Sequence, residues 1–259
     1  MKSAIQACLI RTYALVHSTG LLSTDVGEWA FRSAYTGYKR FIEAGHLGPL
    51  RSLVRPGTSV IDVGANIGFF TLEFARWVGD GGKVLAIEPE PVNFGRLTRG
   101  VSRAGLRHVV DLVQAAAAER SGEVGLIMSP RHHGDHRIGD GGLPVPAVTI
   151  DDLLAARGWP PVSLMKIDVQ GAESRVLAGA GETLRALRPA LFVEVCDEAL
   201  RTSQSSAEDL LAQLYGHGYS AYRTTHERIV EPMTAAQALD QHEKRSYVDL
   251  LFLHAAARG

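Results

Sequence analysis

Ten residues, Val60-Ile-Asp-Val-Gly-Ala-Asn-Ile-Gly-Phe69, constrain this chain most. An apolar run ends at Asp62, small and polar residues follow, and after Gly68 the apolar residues Phe70, Phe74 and Trp77 recur at helical spacing. A strand that turns sharply into a helix at glycines is how an open α/β sheet holds a nucleotide-like ligand. The next apolar run, Lys83 to Ile87, ends at Glu88-Pro89. An acid at that strand end is placed to accept both hydroxyls of a ribose. Together these residues point to an adenosine-bearing cofactor.

The identity of the cofactor follows from what the turn lacks. A dinucleotide site uses Gly-x-Gly-x-x-Gly, with pyrophosphate on the helix N-terminus. Here the pattern is Asp62-x-Gly64-x-Asn66-x-Gly68, with an acid where the first glycine would stand. An acid there repels pyrophosphate and suits an ammonium group. S-adenosylmethionine carries an α-amino group and a sulfonium and no phosphate. Asp62 is therefore assigned to its amino-acid end, Gly64 and Gly68 to close backbone approach, and Glu88 to the ribose, with Asn66 among the cofactor-binding residues of the turn.

The bulk properties narrow the partners. The chain has 259 residues, enough for a sizeable core. A formal net charge of −1 gives no electrostatic reason to expect nucleic acid or an anionic membrane as partner. Cys8 and Cys196 are the only cysteines and match no metal-ligand spacing, so a cytoplasmic location is expected. The apolar stretch Ala4 to Val16 is interrupted by Gln6, Arg11 and Thr12 and is too short for a transmembrane segment. It reads as an amphipathic helix that packs on its own domain or on a second copy, forming a homodimer through the N-terminal helices; docking on a membrane surface is the alternative.

Along the chain, residues 1 to 50 read as a helical extension or cap and 51 to 259 as the cofactor-binding domain. Strands are expected at Ser59–Val63, Lys83–Ile87, Val109 to Ala116, Glu123–Met128, Leu164–Val169, Ala190–Val195, Tyr219–Thr224 and Tyr247–His254. Thr149 is a candidate helix cap, and Ser205 with Glu208 forms a capping-box pattern. Ser129 to Pro146 and Thr225 to Ser246 read as loops. Alternating strands and helices call for a mostly parallel sheet covered on both faces, with the last two strands as an antiparallel edge pair.

Four segments, Asp62-Val-Gly-Ala-Asn-Ile-Gly68, Glu88-Pro89, Lys166-Ile-Asp-Val-Gln-Gly-Ala-Glu173 and Val193-Glu-Val195, resemble the FkbM-type family of S-adenosylmethionine-dependent methyltransferases. The resemblance spans roughly residues 55 to 255. It implies the class I methyltransferase fold, an α/β Rossmann-like architecture whose mostly parallel seven-stranded sheet has an antiparallel last strand. It also implies O-methylation of secondary metabolites, sugars or glycolipids. In similar methyltransferases the turn after the third strand packs beside adenine, which here points to Ala116 and Ala117, although small residues at a tight strand end explain these positions equally well.

Beyond the cofactor, strand alternation puts Lys166 and Asp168 on one side, at the carboxyl end where open α/β sheets bind ligands. Glu194 interrupts the apolar run Leu191-Phe-Val-Glu-Val195, and a carboxylate there is costly to bury without partners. Asp168 and Glu194 fall on neighbouring strand ends. Such a pair is a placement for Mg²⁺, as in related small-molecule methyltransferases, but nothing fixes the remaining ligands and no metal is expected. Methyl transfer to an alcohol needs a base, and histidine is a common one at neutral pH. His132, His133 and His136 cluster in the loop, with Asp135 and Arg137 beside them, and His136 is favoured. The expected activity is O-methylation of a small-molecule hydroxyl acceptor, with His136, Asp168, Lys166 and Glu194 in the catalytic region. The rival readings are N-methylation of an amine, a nicotinamide-dependent dehydrogenase, and a non-catalytic cofactor-binding module.

Overall fold

The computed structural model describes residues 47–128, 136–225, 228–243 and 247–258. The amphipathic segment Ala4 to Val16, the homodimer expected through it, and His132, His133 and Asp135 lie outside the described residues. A helical segment over 47–53 leads into β1 (Ser59–Val63), α1 (Phe69–Trp77), β2 (Lys83–Ile87), α2 (Pro91–Arg103) and β3 (Val110–Val113). Then come β4 (Ala116–Ala117), β5 (Gly122–Ile127), β6 (Arg137–Ile138), β7 (Leu143–Val148), α3 (Ile150–Ala155), β8 (Val162–Ile167) and α4 (Glu173–Ala178). The chain continues through β9 (Ala190–Val195), α5 (Asp197–Thr202), α6 (Ala207–Gly216), β10 (Tyr219–Thr224), β11 (Ile229–Met233), α7 (Ala235–Glu243) and β12 (Val248–His254).

The main sheet runs β11-β10-β12-β9-β8-β1-β2-β3. From β9 to β3 it is parallel, and β12, β10 and β11 are antiparallel to their neighbours. Every residue of β1 and β8 is buried, as both-face coverage demands of central parallel strands. Alternation divides the core into two layers. Ile61, Val63, Met165 and Ile167 pack on one face, and Val60, Leu164 and Phe192 on the other. On this second face α1 lays Phe70 and Phe74, four residues apart, against the sheet. Their rings stack at 5.6 Å, and Phe70 meets Phe192 edge-on at 6.0 Å. Helix α2 starts at Glu90, whose carboxylate accepts from the Val92 and Asn93 N–H groups at 3.0 and 2.6 Å, with Pro91 in the first turn.

Several expectations are corrected. The strand expected from Val109 to Ala116 breaks after Val113. Ala116 and Ala117 leave the main sheet and pair with Ala147 and Val148 in a four-stranded sheet, β4-β7-β5-β6. That sheet takes up part of the expected loop, because Pro144 and Pro146 read as punctuation while Val145 and Ala147 alternate inward along β7. The segment Thr225 to Ser246 holds β11 and α7, so the described sheet has eight strands where seven were expected. Pro232 hides the strand signal, yet β11 is an edge strand, where proline is tolerated. Helix α7 begins with a capping box: Thr234 Oγ1 accepts from Gln237 N at 3.2 Å, and Gln237 Oε1 accepts from Thr234 N at 2.8 Å. The cap of α6 is Ser206 with Asp209, one residue beyond the expected pair. Thr149 caps α3 as expected, accepting from Asp152 N at 2.9 Å.

The ends of β1 and β8 meet at Gly64. It has φ 74°, and a Cβ there would overlap the Asp168 carbonyl oxygen. Gly81 has φ 76° with nothing within 4 Å of a Cβ, so it isolates the backbone cost from the contact. Gly64→Ala should lower stability by about 2–4 kcal/mol, the left-handed penalty plus overpacking. Gly81→Ala should cost about 1 kcal/mol. Chemical denaturation of both variants measures the difference, and equal losses would refute the close approach as the constraint.

Candidate active site

The turn after β1 is closed by its own donors. Gly64 N and Ala65 N both donate to the Ile87 carbonyl at 3.0 Å, and Gly68 N donates to Ala65 O at 2.9 Å. Asn66, at φ 50°, donates its N–H to Glu88 Oε2 at 2.8 Å. Four backbone donors are thus spent on the chain's own oxygens, a poor cradle for pyrophosphate. Glu88 also accepts from Glu90 N, through Oε1 at 3.0 Å. Burial pushes its carboxyl up to about 7, against the pull of the two N–H bonds and of Lys166. Pro89 follows in a half-buried position. The glycines make room for the protein itself, Gly64 for Asp168 and Gly68 for Leu97, whose Cδ1 would lie 2.7 Å from an added Cβ.

Pairing β1 with β8 sets Asp62 opposite Lys166, and pairing β8 with β9 sets Lys166 opposite Phe192. All three face the α1 side. Lys166 Nζ donates to Gly64 O at 3.1 Å and lies 3.5 Å from Asp62 Oδ1 and 3.3 Å from Asp168 Oδ2. It also sits 5.3 Å from the centre of the Phe70 ring. The other Asp62 oxygen accepts from Thr71 Oγ1 at 2.6 Å. The sequence reading gives Asp62 directly to a cofactor ammonium group. In the structure its side chain is 0% exposed and faces Thr71 and Lys166, so the ammonium group it neutralises is the protein's own.

At the carboxyl ends of β8 and β9 a crevice opens. It is lined by Phe70, Lys166, Ile167, Asp168, Phe192, Glu194, Tyr247 and Asp249. Glu194 pairs across the sheet with Asp249 of β12. Gln170 Nε2 donates to Glu194 Oε2 at 2.8 Å and to Asp168 Oδ1 at 3.4 Å. Glu173 closes the loop behind them, its Oε1 accepting from Val169 N and Gly171 N, each at 3.2 Å. Its carboxyl is pushed up to about 7 by burial, with Asp168 adding to the rise.

The structure therefore brings Lys166, Asp168 and Glu194 together, with the Gly64 turn against them. It does not bring His136 to them. His136 stands before β6 on the four-stranded sheet and is not among the residues lining the crevice. The reason is topological, because the segment expected as a free loop is tied down by β6 and β7. Ala116 and Ala117 are buried and serve the pairing with β7. Although three acids line the crevice, no group of three or more such side chains among the described residues is arranged to hold a metal ion. The sequence reading missed Thr71, Gln170, Tyr247 and Asp249. Thr71, on the helix face that carries Phe74, was open to discovery from spacing; the others depend on register and loop conformation.

Comparison with known proteins is consistent with this geometry. The family model for the methyltransferase FkbM domain matches residues 62–221. The chain is 30% identical to the 31-O-demethyl-FK506 methyltransferase FkbM of Streptomyces tacrolimicus over 201 residues, covering 64% of this chain and 74% of that protein. It is 30% identical to the hexuronic acid methyltransferase AglP of Haloferax volcanii over 128 residues, 49% of this chain and 51% of that one. It is 27% identical to the 2-O-methyltransferase NoeI of Sinorhizobium fredii over 173 residues, 59% of this chain and 69% of that one. With the matched span running from the Asp62 turn through Lys166, Asp168 and Glu194, the chain belongs to the FkbM family of S-adenosylmethionine-dependent methyltransferases.

Proposed function

We propose that the protein transfers the methyl group of S-adenosylmethionine to a hydroxyl group of a small molecule. The observation that carries this reading is the junction at Gly64. Lys166 bonds the Gly64 carbonyl and pairs with Asp168, so the cofactor turn and the carboxylate crevice form one site. Bound there, S-adenosylmethionine supplies an electrophilic methyl group on a sulfonium. The Gly64–Gly68 turn, with four of its N–H groups spent on the chain's own oxygens, suits a ligand without phosphate. Glu88 and Pro89, beside the turn, are assigned to the ribose. The names of two relatives specify O-methylation, which supports a hydroxyl acceptor. Tyr247 and Asp249 line the same crevice but fall outside the family-matched span of 62–221, and we assign them to recognition of the acceptor.

In this reading the acceptor hydroxyl enters among Asp168, Glu194 and the aromatic rings of Phe70, Phe192 and Tyr247. Asp168, next to the cofactor turn, takes its proton as the oxygen attacks, and Lys166 steadies the aspartate. Glu194 holds the acceptor. Orientation and exclusion of water supply much of the rate. Asp168→Asn should lower kcat by about 10²–10⁴-fold. Glu194→Gln should act mainly on KM, and His136→Ala should leave turnover intact. Transfer of label from [methyl-³H]S-adenosylmethionine to a panel of hydroxylated acceptors measures all three. Calorimetry tests the first step: binding of NAD and not of S-adenosylhomocysteine would overturn the reading.

Glu88 gives the binding a pH dependence with a defined sign. Ribose hydroxyls donating to its carboxylate favour the ionised form, so a carboxyl held at about 7 in the free protein titrates lower in the complex. Binding then releases a proton below that pH. Affinity for S-adenosylhomocysteine should rise with pH, by at most about tenfold per unit, and level off above neutrality. Calorimetry at pH 6 in buffers of different ionisation heat should show net proton release; proton uptake would remove Glu88 from the ribose.

A further inference from the structure

The loop from β8 into α4 holds two consecutive left-handed residues, Gln170 at φ 53° and Gly171 at φ 98°. Gly171 is explained by packing, because a Cβ there would overlap the Ala199 carbonyl oxygen. Gln170 has no comparable backbone reason, since glycine or asparagine would adopt its conformation more easily. Strain kept at a site points to what the side chain does. A primary amide has two N–H groups, and Gln170 points its nitrogen at both Glu194 Oε2 and Asp168 Oδ1, at 2.8 and 3.4 Å. These acids belong to different strands. Asp168 follows the end of β8 and Glu194 lies on β9. The β8–β9 register brings the two backbones side by side, the last pair being Ile167 with Val193, and the Gln170 amide links the two carboxyl groups themselves.

We propose that Gln170 is a positioning residue whose amide braces Asp168 against Glu194, fixing their separation and favouring the ionised form of each. For its consequence in methyl transfer, the proposal rests on the reading above. The brace completes a polar chain across three strand ends: Thr71, Asp62, Lys166, Asp168, Gln170, Glu194. A hydrocarbon side chain at 170 would make neither bond. A carboxylate there would set a third acceptor between two others. Among the described residues, the other charged and titratable groups facing the braced pair are Lys166 beside Asp168, Glu173 behind the loop, and Asp249 and Tyr247 from the β12 side.

The test needs no acceptor. The ¹³C carboxyl signals of Asp168 and Glu194, assigned with Asp168→Asn and Glu194→Gln, are titrated in the full chain, both free and saturated with S-adenosylhomocysteine. Gln170→Gly should keep the wild-type Tm or raise it, because the left-handed position is relieved. It should bind S-adenosylhomocysteine within about twofold of wild type, since the brace lies outside the turn that holds the cofactor. Glu194 should nevertheless titrate about one pH unit higher, having lost a donor to its charged form. Gln170→Asn, equally at ease with this backbone but too short to span both acids, is the second variant should the glycine form fail to fold, and it should show the same rise. Gln170→Glu should give a coupled, multi-step titration. Carboxyl titrations of the glycine or asparagine variant that superimpose on the wild-type curves would overturn the brace. Failure of the wild-type protein to bind S-adenosylhomocysteine would overturn the methyl-transfer reading instead, while the titration of the free protein would still decide the brace.

Discussion

An ammonium group taken out of water must find partners inside the protein or give up its charge. Lys166, 4% exposed, finds them in the carboxylates of Asp62 and Asp168 and in the Gly64 carbonyl. Each partner comes from a different part of the fold. Asp62 is on β1, the carbonyl belongs to the cofactor turn, and Asp168 follows β8. The pair is weak evidence for stability, since burying two ions costs about as much as their attraction returns. Its consequence is geometric. Asp62 is held from behind by Thr71 of α1, so the helix, the turn and the crevice share one set of polar contacts. Removing Lys166 would leave the fully buried Asp62 carboxylate with the Thr71 hydroxyl and no counter-charge within salt-bridge distance among the described residues, which ties the position of the crevice to the integrity of the core.

Much of this arrangement was legible in the chain because it follows from short periods. Strands β1, β2, β9 and β10 have the expected bounds, as short runs rich in apolar, β-branched and aromatic residues between turn residues leave little choice. Lys166 and Asp168 share a face because strand side chains alternate, and Glu194 stands near them because β9 follows β8 in the parallel sheet. What stayed hidden depends on relations between segments. The partner of Asp62 is set by the register of β1 on β8, which no local pattern specifies. Asp249 reaches the crevice only because antiparallel pairing sets it opposite Glu194. Gln170 reads as an ordinary polar loop residue until its left-handed backbone turns the amide toward two acids. His136 stands just before β6, and the pairing of β6 with β5 is likewise a relation between segments that the local sequence does not specify.

The two buried glutamates show how hydrogen-bond inventory separates a demand of the fold from a demand of function. Both carboxyls are raised from 4.5 to about 7, with burial the largest cause. Their neutral forms favour the folded state, so this contribution is fully present below about 4.5 and is lost as pH rises through about 7. Glu173 meets two N–H donors with one oxygen, a duty the single carbonyl oxygen of glutamine would also fulfil. Glu88 meets Asn66 N and Glu90 N with separate oxygens. An amide at position 88 would turn an N–H toward one of those donors. The two oxygens of a carboxylate are thus required at the end of β2 by the backbone alone, and they also span the tip of the cofactor turn through Asn66. The group that locks the turn is the one proposed to hold the ribose; on that proposal the same two oxygens that shape the turn would also grip the diol.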